Sequence, residues 1–266
     1  MKNEKYKKGY VAFVDILGFK NAINKDSVET FKKIFDIFDN LKSKFNAIEK
    51  IDIKMLFGSD SVFITTEEGS FSHFALVLRL LASVVYKELG LLLRGGITYG
   101  DYYHDNSNVF GPAVCMAEEL EGQAKYSRII FQDEVVKREC LYNDDLAEVF
   151  VDFDGKYCLN LYAYSLWDNL EYPIDISKYD ENQLFEILLA NLSNIKKTIT
   201  SMCINHIYTP NVEKYLWQIV PYNALCNLII EDIERIDYIG ELKKSLTEKE
   251  IKEIRKLKIT DILSER

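Results

Sequence analysis

The chain has 266 residues, of which 48% are hydrophobic and 28% charged, and it carries a formal net charge of −9. That length and apolar content suffice for one large domain, or one domain with an appendage. The acidic balance excludes a general nucleic-acid binder, which shows a basic footprint, and no stretch approaches the roughly 18 apolar residues of a membrane-spanning helix.

Residues 9–16 read as a buried strand. The run Val11-Ala12-Phe13-Val14-Asp15-Ile16-Leu17-Gly18-Phe19 sets one carboxylate inside apolar sequence, beside a glycine. Val28, Phe31, Ile34, Phe35, Phe38, Leu41 and Phe45 are spaced as a helix over 27–47, with Asp26 or Ser27 as its cap. Residues 51–57 and 61–66 read as two strands joined at Gly58-Ser59. The second run, Met55-Leu56-Phe57-Gly58-Ser59-Asp60-Ser61-Val62-Phe63-Ile64, repeats the pattern of one carboxylate beside a glycine.

A helix over 70–89 ends at Gly90, and a strand over 91–99 leads into a polar turn at 104–108. Gly111-Pro112 opens a helix through about Gln123, with proline in the first turn. A strand over 128–131, a short helix over 132–139, and a hairpin over Asp154-Gly155 follow. After about residue 170 the pattern is helical only, with spans at 181–207, 211–236 and 240–264. The last is strongly charged and reads as a solvated face. The expected fold is α+β: a ferredoxin-like palm over 1–168, with a helical C-terminal extension over 169–266 packed on it.

A lone buried carboxylate is costly. Two of them, in strands that could be neighbours, point to a shared divalent cation. Such ions take oxygen ligands and often sit on one or two carboxylates plus substrate phosphates. Asp15 and Asp60 are therefore the candidate metal ligands, and nucleotide chemistry is the first expectation. The alternative is that each carboxylate caps a nearby turn.

Arg94, Lys125 and Arg128 are the cations available to a phosphate. Arg94 stands out because it lies in a strand otherwise made of leucine and glycine; its competing role is a structural ion pair. Gly95-Gly96 lacks the lysine of a phosphate-cradling loop, and is expected to let another backbone approach closely. Trp217, Tyr215 and Tyr222 could stack a base, but read first as the core of the helical segment. The five cysteines form no CxxC pair, and Cys115 is expected in the core rather than as a nucleophile. His73, His104 and His206 show no zinc spacing. With no apolar leader at the N-terminus, a reduced cytoplasmic setting is expected.

These residues resemble a known family. Phe13 through Phe19 is similar to the "F-x-D-I-x-G-F" strand of class III nucleotidyl cyclases, and Ser59-Asp60-Ser61 matches the place of their second metal aspartate. Leu93-Arg94-Gly95-Gly96-Ile97-Thr98-Tyr99-Gly100 resembles their "V-R-x-G-I-x-x-G" strand. Val109 through Glu121 resembles their "W-G-x-x-V-N-x-A-x-R" helix. The chain also resembles the stand-alone pyrimidine cyclases of Pycsar anti-phage defence. That likeness includes Phe110-Gly111-Pro112-Ala113, Lys214-Tyr215-Leu216-Trp217 and Tyr222-Asn223, and spans roughly residues 9–225.

The resemblance implies two Mg²⁺ or Mn²⁺ ions held by Asp15, Asp60 and the Ile16 carbonyl, with Gly18 and Phe19 at the substrate. It implies a head-to-tail homodimer acting on a nucleoside triphosphate, with no nucleic-acid or membrane partner and a separate effector that reads the cyclic product. The base-reading positions are Leu56 and Asn108. An apolar residue with an amide matches neither the adenine nor the guanine arrangement, so UTP or CTP is expected, with a lean to UTP. The transition-state asparagine and arginine of the family correspond to Cys115 and Glu119, which leaves Arg94 as the candidate catalytic cation. Competing readings are an impaired homologue that senses a nucleotide, and a polymerase or diguanylate-type enzyme on the same palm. The last carries a G-G-D/E-E-F hairpin where this chain has Gly58-Ser59-Asp60-Ser61-Val62.

Overall fold

The computed structural model describes residues 5–25, 28, 29, 32, 35, 36, 39, 40, 53–67, 71–139, 141, 149–163, 166, 178–231 and 246–262. The chain divides into two compact units. One comprises residues 1–142 with 151–159, the other 143–150 with 160–266.

The first unit is built on β1 (Lys7–Leu17), α1 (Phe19–Lys25), β2 (Ile53–Phe57), β3 (Ser61–Glu67), α2 (Phe71–Leu89) and β4 (Leu92–His104). Then come β5 (Val109–Phe110), α3 (Pro112–Gln123), β6 (Ile129–Phe131), α4 (Asp133–Arg138) and, after β7 (Val149–Val151), of which only Val151 belongs to this unit, β8 (Tyr157–Leu159). The sheet runs β2-β3-β1-β4-β6-β8. Each neighbouring pair among its first four strands is antiparallel, and β6 joins β4 in parallel. The order β2-β3-β1-β4, with a helix after β1 and another after β3, is the expected ferredoxin-like palm. The described residues between 28 and 40 are helical, as expected; the rest of the 27–47 span lies outside the described residues.

Alternation along β1 assigns the two faces of the sheet. Tyr10 packs on Phe71 and Phe74 of α2. Val11 and Phe13 point the other way, into a cluster with Ala113, Val114 and Ala117 of α3. Helix α2 buries Phe74, Val77, Leu78 and Leu81 completely. At roughly 1.5–3 kcal/mol per large apolar side chain, that face alone holds it to the sheet. It stops at Gly90, whose φ of 62° suits glycine.

β4 outruns its expected end at Tyr99. Gly100 does not break the strand because it pairs with Gly9, and the ladder continues to Tyr102 opposite Lys7. The polar turn accordingly begins at Asp105, where the Asp105 N–H donates to the Asn108 carbonyl at 3.0 Å.

The second unit is helical: α5 (Glu181–His206), α6 (Val212–Leu216), α7 (Ile219–Glu231) and α8 (Glu248–Leu257). Capping boxes start α5 (Asp180 with Gln183) and α8 (Thr247 with Glu250). The single helix expected over 211–236 is two. Pro221 lies in the first turn of α7, where its missing N–H costs nothing; an uninterrupted helix would have put it in the interior. Trp217 and Tyr222 are buried, with the Tyr222 hydroxyl donating to the carbonyls of Leu192 and Leu257. Tyr215 stacks on His206 with centroids 3.7 Å apart. Trp217 and Tyr222 are core, as first read, whereas Tyr215 is half-buried. Among the described residues, no helix is long and apolar enough to cross a membrane.

Candidate active site

Asp15 and Asp60 come together at one end of the palm. The β1–β3 ladder pairs Asp15 with Ser61, and the turn that follows β2 brings Asp60 alongside. The Ile16 N–H donates to the Asp60 carbonyl at 2.7 Å. That bond carries the β1–β3 pairing past its last registered residue and fixes both aspartates to neighbouring strand ends. Asp60 is exposed and accepts a hydrogen bond from the Ser59 hydroxyl at 2.8 Å. Asp15 is half-buried. The Gly58 N–H donates to the Ser61 carbonyl at 2.8 Å and closes the turn.

The donor set suits a small hard cation: two carboxylates and the Ile16 carbonyl, all oxygen, with positions left for water and phosphate. Among the described residues, no cluster of three or more His, Cys, Asp or Glu side chains forms a metal cage by itself. Any ion here would therefore complete its shell with water or phosphate.

Arg94 faces Asp15 across the β1–β4 ladder. Its Nη2 lies 3.2 Å from Asp15 Oδ2, and the same guanidinium is ion-paired with Glu121 of α3. The half-buried Arg94 thus reaches Asp15 of its own chain. Glu121 was not picked out from the sequence. Its signal was there: it stands on the helix whose close packing the Gly95-Gly96 pair had announced. A Cβ on Gly95 would lie 2.5 Å from the Phe13 carbonyl oxygen, and one on Gly96 2.7 Å from that of Ala117.

Arg128 is not available to a phosphate. It is fully buried and ion-paired with Asp152, and bonds Asp154 through Nη1 at 2.9 Å and Nη2 at 2.6 Å. A guanidinium binds a carboxylate well in this two-pronged geometry. Asp154 is held below its ordinary carboxylate pKa by that hydrogen bond. Sequence reading missed the pairing because both partners lie on a hairpin far along the chain. Lys125 is exposed.

Leu56 pairs with Phe63, and Phe63 with Phe13, so all three lie half-buried on the α3 face. Phe13 and Phe63 are in ring contact at 4.6 Å. Two residues before Leu56 on the same strand, Lys54 donates to the His104 carbonyl at 3.0 Å. This ties the turn that carries Asn108 to β2. Within the turn, the Asp105 carboxylate accepts from the Ser107 and Asn108 N–H groups at 2.7 Å each, and from the Tyr103 hydroxyl at 2.9 Å. The two backbone bonds, with Tyr103, lower the Asp105 pKa to about 2. Asn108 Nδ2 also donates to the two Asp105 carboxylate oxygens, at 3.3 and 3.4 Å, which leaves Oδ1 as the amide's acceptor.

Of the other expected positions, Gly18 begins the turn into α1 with φ 88°, a conformation glycine adopts readily. Phe19 is only 4% exposed, so its ring is core and only its backbone can meet a substrate. Cys115 is exposed, not in the core as expected: α3 buries Ala113, Val114 and Ala117, and Cys115 falls off that stripe. Glu119 is exposed as well.

No family model and no curated protein matches the chain. Among solved structures it is similar to a bacterial light-regulated adenylyl cyclase, at 18% identity over 53% of this chain and 82% of that one, with TM-score 0.41. It is similar to the guanylate cyclase domain of RhGC from Catenaria anguillulae in complex with GTP, at 16% identity over 59% and 97%, TM-score 0.40. It is also similar to the monomeric guanylyl cyclase domain of the RhoGC fusion protein from Blastocladiella emersonii, at 14% identity over 59% and 96%, TM-score 0.42. At these scores the likeness carries no assignment by itself.

Proposed function

We propose that the chain is a metal-dependent nucleotidyl cyclase acting on a pyrimidine nucleoside triphosphate, UTP or CTP, with a lean to UTP. The observation that carries this reading is the meeting of Asp15 and Asp60 at neighbouring strand ends, joined by the Ile16 to Asp60 backbone bond. The motif resemblance supplies the reaction class. The ribose 3′-oxygen attacks the α-phosphorus, the bond to pyrophosphate breaks, and the hydroxyl proton leaves to solvent. Divalent ions, two per site and held by Asp15, Asp60 and the Ile16 carbonyl, would lower the hydroxyl pKa and offset the triphosphate charge.

The chain's own residues do the rest. Asp15, Asp60 and the Ile16 carbonyl provide the oxygen ligands. Arg94, beside Asp15, is the candidate phosphate cation. Leu56 gives the base an apolar wall, and Asn108 an acceptor for a base N–H. The motif resemblance also supports a head-to-tail homodimer. A cyclic pyrimidine nucleotide made this way suits a second messenger in anti-phage defence, read by a separate effector, within the cytoplasm.

One observation favours a second reading, a nucleotide sensor with impaired catalysis. Exposed Glu119 stands where the family places a phosphate-stabilising arginine, and a carboxylate repels phosphate. Incubating the pure protein with each nucleoside triphosphate and Mn²⁺, and identifying products by mass, separates the two. Asp15→Asn and Asp60→Asn should each abolish pyrophosphate release. Near-normal turnover in both variants would show the metal assignment to be wrong, and nucleotide binding without any product would favour the sensor.

A further inference from the structure

Arg94 sits where a cation would meet Asp15, and it has a second carboxylate to turn to. Its guanidinium touches Asp15 on β1 and Glu121 on α3 at once. The side chains of Arg94, Asp15 and Glu121 are 23%, 22% and 13% exposed. One positive charge is therefore shared between two carboxylates in a partly dry place, where charges interact more strongly than in water.

We propose that Arg94 is a built-in counter-cation that competes with divalent metal for Asp15, and that Glu121 is the positioning residue that sets how strongly it competes. This rests on the reading of Asp15 as a metal ligand. A divalent ion at Asp15 repels the guanidinium, which must withdraw. Glu121 makes withdrawal inexpensive, because Arg94 keeps one ion-pair partner and is not left half-buried with an uncompensated charge. Without the Glu121 charge, Arg94 leans wholly on Asp15 and resists displacement. A ligand shifts such an equilibrium only by its differential affinity for the two states. A monovalent ion offers Asp15 no more charge than Arg94 does, whereas a divalent ion does, so the device favours divalent metal.

The test is Mn²⁺ binding to the full chain without nucleotide, read from the paramagnetic resonance of free Mn²⁺. Arg94→Met should tighten Mn²⁺ about fivefold and Glu121→Gln weaken it about threefold, the scale of a part-exposed ion pair. Bare charge effects would give the same signs, so the deciding measurement is the double variant. If Glu121 acts through Arg94, Glu121→Gln changes nothing once Arg94 is methionine. If the two effects simply add, or if neither single variant moves the affinity, the proposal is overturned. Asp15→Asn in the otherwise unaltered chain gives the separate check. If it leaves Mn²⁺ affinity unchanged, the metal reading itself has failed.

Discussion

A Cβ placed on Gly96 would lie 2.4 Å from the Cβ of Leu120, closer than two carbon atoms can come. Neither Leu120 Cβ nor the Ala117 carbonyl oxygen is the end of a flexible side chain, so α3 itself would have to move. Replacing a strand glycine by alanine ordinarily gains about 0.5–1 kcal/mol from chain entropy. Here overpacking, at typically 1–3 kcal/mol, should win. Gly96→Ala is expected to lower the melting temperature and to reduce turnover further, since α3 carries Glu121. A variant at least as stable as the parent would mean that β4 and α3 are not packed this closely.

Asn108 is held by Asp105, and base selection should follow both. Asn108→Ala is expected to reduce selectivity among the four nucleoside triphosphates more than it reduces total turnover. Asp105→Ala should do the same by releasing the turn. The Asp105 pKa lies at about 2, below its ordinary value, so the charged form that organises the turn persists above that pH and is lost only below it. Selectivity in a four-nucleotide competition should thus be constant from pH 5 to pH 8. Preference for ATP over both pyrimidines would contradict this view of the pocket.

Arg128→Met should be among the more damaging substitutions. It leaves Asp152 fully buried without its guanidinium, and breaking a buried pair from one side costs about 3–5 kcal/mol. Adding Asp152→Asn should recover part of the loss, because the uncompensated charge is gone. The sign of the pH effect follows from Asp154, whose folded pKa is lowered. Its contribution is present above the unfolded carboxylate value, about 3.9, and drains away as pH falls through the folded value. Urea unfolding of Arg128→Met should accordingly lose part of the parent's stability loss below pH 4. A change of under 0.5 kcal/mol at pH 7 would refute the role given to this pair.

The thiols should separate cleanly. Burial pushes Cys158 up to about 12, and Cys203 and Cys226 up to about 11, while Cys115 is exposed. The thiolate is the reacting form. With iodoacetamide at pH 8, peptide mapping should therefore show Cys115 modified first among these four, and the other three only on unfolding. Early modification of Cys158 would place β8 outside the core.

Much of this molecule was legible in the sequence because the cues are local. Alternating apolar residues set the strands, Gly90 and Pro112 punctuated the helices, and each aspartate announced itself by interrupting an apolar run. The glycine pair at 95 and 96 even forecast a close backbone approach. What the sequence could not supply was partnership between residues far apart along the chain. Arg94 and Arg128 both counted as available cations, with Arg94 preferred for its apolar strand. Only tertiary structure put one on the sheet surface between Asp15 and Glu121, and sealed the other behind Asp152 and Asp154. Cys115 was misjudged for a related reason: helical spacing shows which residues share a stripe, while packing decides which stripe is covered. The sequence by itself determined most of the elements and marked out the two carboxylates. The tertiary structure decided which charges meet, because an ion pair depends on distance in space, and sequence separation does not encode that distance.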